Sequence, residues 1–359
     1  MRRFPTPRLR WWHAALAVVA GAALVVLLVV VDFAPDEEPE PGPPEDAPRT
    51  LVSIGDSTLS GDGIGEYTET TDGLDGNWCR RSPLAAIHRT DVPGVDETVN
   101  LACSGATTEH VRLGGGQRYG EPSQAEQLTE LARTNRVVGV VVAIGANDEP
   151  RFSSRVRDCI QAYFTESPCS ETLAPEWSDI VADMVPDVEA ALSDVRAALA
   201  DAHYDTDDYQ LILQSYAPPI APDIPEDVRD LGGCPFLTQD LEWLSSRAVT
   251  ELNDGLRAAA DAAGARFLDL SRASRGREAC TGGADPSTEW FTRLTVRFDD
   301  LDDADRARQA IRESFHPNAA GHRQIGGCLT QFLTTDAQEA ACLVTDDGTL
   351  RAAPGVPGS

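Results

Sequence analysis

"VVGVVVAIGANDEP", Val137 to Pro150, opens with β-branched residues that leave both faces apolar. Such a run fits the centre of a parallel sheet covered by helices on both sides. It stops at Gly145, and Asn147 and Asp148 follow at once. Outward from it, strand-length apolar runs recur at 50–54, 97–102, 209–215 and 265–270. Helical patterns fall between them. These are Pro83 to Arg89, Gln124 to Arg133 behind an N-cap at Ser123, and Ser178 to His203 with a bend expected at Pro186. Gln239 to Ala263 stops at Gly264, and Ala319 to Phe332 is capped by Asn318. The β–α alternation predicts a doubly wound three-layer α/β/α domain with a parallel sheet of about five strands. Ligands of such sheets bind beyond the carboxyl ends of the strands. Ser57, Gly105 and Asn147 each directly follow a predicted strand, so the fold alone gathers them at one edge.

The chain has 359 residues, 42% hydrophobic and 25% charged, which suits one large domain or two small ones. Its 58 acidic residues against 30 basic ones leave a net charge of -28, which repels nucleic acid and anionic lipid headgroups. Residues 1–10 carry Arg2, Arg3, Arg8 and Arg10, and 11–31 is apolar apart from His13. Roughly 20 apolar residues cross a bilayer, so 11–31 reads as a transmembrane signal anchor. Arginines before it and acids after it orient the N-terminus inward. A cleaved secretory signal is the alternative. Residues 32–48 are acidic and proline-rich, an extended spacer. The folded domain is expected over 49–345, with 346–359 as a flexible tail. The expected location is the cell membrane with the main domain outside the cytoplasm, or secretion if the signal is cleaved.

Cys79, Cys103, Cys159, Cys169, Cys234, Cys280, Cys328 and Cys342 all lie beyond the apolar segment. An even number fits an oxidising compartment and disulfides. The close C-x-x-C pairs of a zinc site are missing from the sequence.

Four short blocks carry the chemistry: "GDSTLSG" from Gly55, "NLACSGATT" from Asn100, "IGANDEP" from Ile144 and "ESFHPNAAGH" from Glu313. A serine hydroxyl needs a base within reach and donors for the charge that develops on the attacked carbonyl. Each block alone reads as a turn: Asp-Ser-Thr with glycine nearby, a loop glycine, Asn-Asp. Together and in this order they resemble the SGNH hydrolase superfamily, the GDSL esterases and lipases, from about Leu51 to Leu333. The resemblance makes 49–345 an SGNH hydrolase domain. It implies a flavodoxin-like fold and ester hydrolysis through an acyl-enzyme, with no metal or organic cofactor. Carried onto this chain, Ser57 is the nucleophile and His316 the general base. Gly105 and Asn147, with the Ser57 N–H, form the oxyanion hole.

The family often has aspartate three residues before the histidine; Glu313 stands there. "SFHPN" is similar instead to a bacterial secreted lipase branch in which a backbone carbonyl orients the imidazole, which makes the Ser314 carbonyl the candidate. Both stay open. The same branch implies disulfides Cys79–Cys103, Cys159–Cys169 and Cys234–Cys280, which leaves Cys328 with Cys342.

Asp56 and Asp148 read as structural hydrogen-bonders. His322 follows His316 by six positions, where helix faces differ by roughly 240°, and reads as a packing or capping residue. Trp78, Trp177, Trp243 and Trp290 read as core or rim residues, with Trp290 the strongest of them as an alternative acyl-pocket residue. "DDLDDAD", 299–305, lacks the glycine and spacing of a calcium loop. The expected substrate is a lipid or acylated-glycan ester. The main alternatives are a cell-envelope O-acyl esterase using the same site and an inactive, surface-tethered binding protein on the same scaffold. Oligomeric state is not legible.

Overall fold

The computed structural model describes residues 42–148, 152–294 and 313–356. The chain divides into two units at Glu40 and Pro41, and the second, Pro41–Ser359, carries the sheet and all four sequence blocks. Seven strands form one sheet: β1 Arg49–Gly55, β2 Glu97–Asn100, β3 Arg136–Ala143, β4 Gln210–Gln214, β5 Arg266–Asp269, β6 Glu339–Val344 and β7 Leu350–Pro354. Their order is β2-β1-β3-β4-β5-β6-β7. The first six are parallel and β7 runs antiparallel to β6. The strand order reverses direction between β1 and β3, the point where open α/β sheets leave a crevice. Val140, Val141 and Val142 on β3 are wholly buried, because both faces of the sheet are covered.

The principal helices are α1 Ser57–Ser60, α2 Gln124–Ala132, α3 Phe152–Thr165, α4 Trp177–Asp201, α5 Val249–Ala263 and α6 Ala319–Leu333. Helices α2, α4 and α5 pack side by side, while α6 packs on the 3₁₀ turn Ala86–Arg89 and on β7. The caps are those the sequence announces. Ser123 Oγ accepts from the Glu126 N–H at 3.3 Å and Glu126 accepts from the Ser123 N–H at 3.1 Å, a capping box on α2. Asn318 Oδ1 accepts from the Ala320 and Gly321 N–H groups at 2.9 and 3.1 Å. Gly264 ends α5 at φ 64.

Several expectations need correction. The sheet has seven strands, not about five. The "flexible tail" contains β7, whose backbone pairs with β6 from Ala340–Pro354 to Val344–Leu350. β6 is rich in alanine and β7 ends in proline, so neither carries a strong β signal; cross-strand hydrogen bonding makes them strands. Pro83 to Arg89 gives only the short 3₁₀ turn Ala86–Arg89. Gln239 to Ala263 is interrupted by a π-helical stretch at Trp243–Ala248. Helix α3 has no counterpart among the elements expected from the sequence. Pro186 sits inside α4, as anticipated.

The cysteines join as Cys79–Cys103, Cys159–Cys169, Cys234–Cys280 and Cys328–Cys342. Among the described residues no helix is long and apolar enough to cross a membrane. The expected anchor at 11–31, most of the spacer and the acidic stretch 299–305 lie outside the described residues.

Candidate active site

Everything converges at the carboxyl edge of the sheet. β1 ends at Gly55, whose N–H donates to Gln124 Oε1 at 2.6 Å and whose carbonyl accepts from Gln124 Nε2 at 2.9 Å. This two-way clamp fixes the backbone just before Asp56. Asp56 is buried and caps α1, accepting from the Thr58 N–H at 2.9 Å and from the Tyr216 hydroxyl at 2.5 Å. Burial raises its carboxyl pKa to about 6, against the lowering effect of the Tyr216 hydrogen bond. Burial and the Asp56 charge push the Tyr216 hydroxyl well above its usual range. Asp56 is thus a structural hydrogen-bonder, as is Asp148. The Asp148 carboxylate accepts from the Thr108 N–H at 3.1 Å and the Thr108 hydroxyl at 2.5 Å.

Ser57 follows Asp56 as the first residue of α1. Its Oγ lies 2.7 Å from His316 Nε2, and His316 Nδ1 lies 3.0 Å from the Ser314 carbonyl. A carbonyl can only accept, so Nδ1 carries the proton and Nε2 of the neutral ring accepts from the serine hydroxyl. Glu313 turns its carboxylate to Arg80 instead, in a buried ion pair. Of the two alternatives for orienting the imidazole, the Ser314 carbonyl is therefore the one found at Nδ1.

The histidine loop is laced to 289–292. The Thr292 N–H donates to the His316 carbonyl at 2.9 Å, the Phe315 N–H to the Thr292 carbonyl at 3.0 Å, and the Asn318 N–H to the Trp290 carbonyl at 2.8 Å. Gly63 is needed beneath it. It holds φ +94, and an added Cβ would come within 2.7 Å of His316 Cβ. Behind the loop, Arg80 also pairs with Asp62 at 3.4 Å, and Asp62 accepts from Ser104 Oγ at 2.5 Å. Buried charges of opposite sign, each hydrogen-bonded, link the histidine loop to the segment before Gly105.

Gly105, at φ +68, and Asn147 line the same cleft as Ser57 and His316. The cleft is about 280 Å³. Asn147 Nδ2 donates to the Ala106 carbonyl at 3.1 Å, which fixes the amide's orientation. Among the described residues neither the Ser57 nor the Gly105 N–H has a hydrogen-bond acceptor. Apolar residues Val156, Ile160, Leu270, Phe291 and Ile325 form much of the wall. Trp290, read from the sequence as a core or rim residue before an acyl-pocket one, is buried beside this wall rather than in it, with the Arg277 guanidinium 5.8 Å from its ring. His322 is wholly buried and accepts from the Ala86 N–H at 3.1 Å through Nδ1. Burial depresses its pKa to about 3, so it is a neutral packing residue.

Sequence reasoning missed Tyr216, Arg118, His110 and the α3 residues of the wall. Tyr216 and Leu270 closely follow β4 and β5, so the rule that found Ser57, Gly105 and Asn147 could have found them too. Arg118 and His110 carry no such signal.

A profile of the GDSL-like Lipase/Acylhydrolase family matches residues 53–324. The chain belongs to this family. Like its members, this hydrolase acts on carboxylic esters. It is 28% identical over 302 residues to "Lipase 2" of Streptomyces coelicolor, covering 82% of this chain and 89% of that protein. The solved phospholipase A1 from Streptomyces albidoflavus NA297 superposes with a TM-score of 0.54 at 21% identity, over 77% of this chain and 95% of that one. That likeness is one of fold. The SGNH hydrolase fold and the resemblance drawn from the four sequence blocks therefore stand.

Proposed function

We propose that this GDSL-family hydrolase cleaves lipid-type carboxylic esters through an acyl-enzyme on Ser57. His316 Nε2 takes the Ser57 proton as Oγ attacks the ester carbonyl, and the Ser314 carbonyl steadies the imidazolium through Nδ1. The Ser57 and Gly105 N–H groups and Asn147 Nδ2 receive the oxyanion. The imidazolium returns its proton to the leaving alcohol. Water, deprotonated by the same ring, then releases the acid and restores the serine. The observation that carries this reading is the 2.7 Å contact from Ser57 Oγ to His316 Nε2, with the Ser314 carbonyl at the ring's other nitrogen.

The apolar wall favours an acyl chain over a sugar, since hydrocarbon side chains offer a glycan no hydrogen bonds. Four disulfides favour a compartment outside the cytoplasm. Residues 11–31 serve as its membrane anchor in this reading, and membrane fractionation of the native chain tests that separately. For the chemistry, purified wild type should turn over p-nitrophenyl butyrate and tributyrin, while Ser57→Ala should lose at least about 10³-fold in kcat. Equal turnover by both proteins would dismiss the mechanism. Release of acetate from acetylated polysaccharide in preference to tributyrin hydrolysis would overturn the lipid assignment alone.

A further inference from the structure

Arg118 stands half-buried in the cleft wall. Its Nε donates to the Ser104 carbonyl at 2.7 Å. That carbonyl and the Gly105 N–H belong to one peptide unit. In a trans peptide the two point in opposite directions across a rigid plane. We propose that Arg118 is a positioning residue: by holding the Ser104 carbonyl it aims the Gly105 N–H into the cleft, where the oxyanion forms. This role rests on the proposed place of Gly105 in the oxyanion hole.

The arginine is itself held. Arg118 and Glu121 close a tight turn by two backbone hydrogen bonds, the Arg118 N–H to the Glu121 carbonyl at 3.1 Å and the reverse at 3.0 Å. Tyr119 and Gly120 between them sit at φ 49 and 82, the paired positive angles of a type I′ turn. The Glu121 carboxylate accepts from Arg81 and from Asn77 Nδ2 at 2.7 Å. Arg81 also donates to the Leu101 and Ala102 carbonyls at 3.0 and 2.9 Å. The turn that carries Arg118 is thereby pinned to the segment leading into Ser104. From the other side, Ser104 Oγ is tied to buried Asp62 at 2.5 Å. With side chain and carbonyl both held, the peptide cannot rotate, and its N–H is left with no acceptor among the described residues.

The arrangement does two things. It removes reorganisation when charge appears on the substrate oxygen, the property that makes an oxyanion donor effective. It also places a cation on the carbonyl of the donating peptide, which polarises the unit and strengthens its N–H as a donor. Gly105 needs both, because its φ of +68 lies in a region where glycine has freedom to move.

The test uses the full chain and a neutral substrate, p-nitrophenyl butyrate, so that a charge on the substrate cannot interfere. Arg118→Met should lower kcat by about 10- to 100-fold with KM within about twofold. A trifluoromethyl ketone, whose carbonyl takes up the Ser57 oxygen and becomes an oxyanion, should lose affinity by the same factor. Arg118→Lys, which keeps a charged donor, should recover part of both losses. An unchanged kcat overturns the proposal, as does a lower kcat with unchanged ketone affinity. A rise in KM alone also overturns it and assigns Arg118 to substrate contact instead. If circular dichroism shows Arg118→Met misfolded, Arg118→Gln is read by the same two quantities. Ser57→Ala run alongside separates the two readings. If it retains turnover, the acyl-enzyme assignment fails; if it is dead while Arg118→Met is fully active, only the Arg118 inference fails.

Discussion

Glu313 stands three residues before His316, yet its carboxylate is paired elsewhere. At the position where a carboxylate could orient the imidazole, the glutamate instead pairs with Arg80, and both side chains are nearly buried at 8% and 6% exposure. Removing one partner leaves the other charge less compensated, although Arg80 keeps Asp62. Glu313→Gln should therefore destabilise the fold by about 3 kcal/mol in urea unfolding while kcat of the folded enzyme stays within about threefold. A large kcat loss at unchanged stability would return the orienting role to the carboxylate. None of this is readable from "ESFHPN", which admits either the carboxylate or the carbonyl. The choice depends on Arg80, more than two hundred residues earlier in the chain.

Two buried titrating groups act on elements, and in opposite senses. His322 sits inside α6 and refuses a proton until about pH 3, while its unfolded form takes one near 6.5. Below about pH 6.5 the unfolded state binds more protons, so this group costs stability as pH falls toward 3. Asp56, capping α1, holds its proton to about pH 6 when folded but releases it near 3.8 when unfolded. Folding there binds a proton, so stability rises as pH falls from above 6 toward 3.8. Asn places an acceptor oxygen where the His322 Nδ1 lies and does not titrate. In His322→Asn the acid loss should vanish and the Asp56 gain should remain. Its urea midpoint should accordingly rise from pH 7 to pH 5 relative to wild type. A parallel fall in both proteins would mean that His322 is not the acid-sensitive group. His316 lies before the Asn318 cap of α6, so helix periodicity does not relate the two histidines; full burial and the bond from the Ala86 N–H are what set His322 aside as a base. Its proton affinity depends on packing against Ala86, which periodicity does not encode.

Across the whole molecule the disulfides close loops of unequal length. Cys234–Cys280 spans 46 residues and Cys159–Cys169 only 10. On the chain-entropy account the first bond contributes about 4 kcal/mol and the second about 3. Replacing both cysteines by serine should thus cost more for Cys234/Cys280 than for Cys159/Cys169 in denaturant midpoint. The reverse order would point to the shorter loop's native contacts, since Asp240 accepts from the Cys169 and Ser170 N–H groups at 3.1 and 2.9 Å.

The amino-acid sequence by itself determined the parallel sheet, the strands β1 to β5, the caps of α2 and α6, and the four segments that meet at the carboxyl edge. These follow from local signals: β-branched runs, capping residues, and small polar residues placed directly after strands. Tertiary structure alone decided that β6 and β7 extend the sheet, that α3 walls the cleft, that Ser314 rather than Glu313 faces the imidazole, and that Arg118 grips the peptide before Gly105. Each of these depends on a partner distant in the chain, and a contact energy between distant residues leaves no periodic mark on either one.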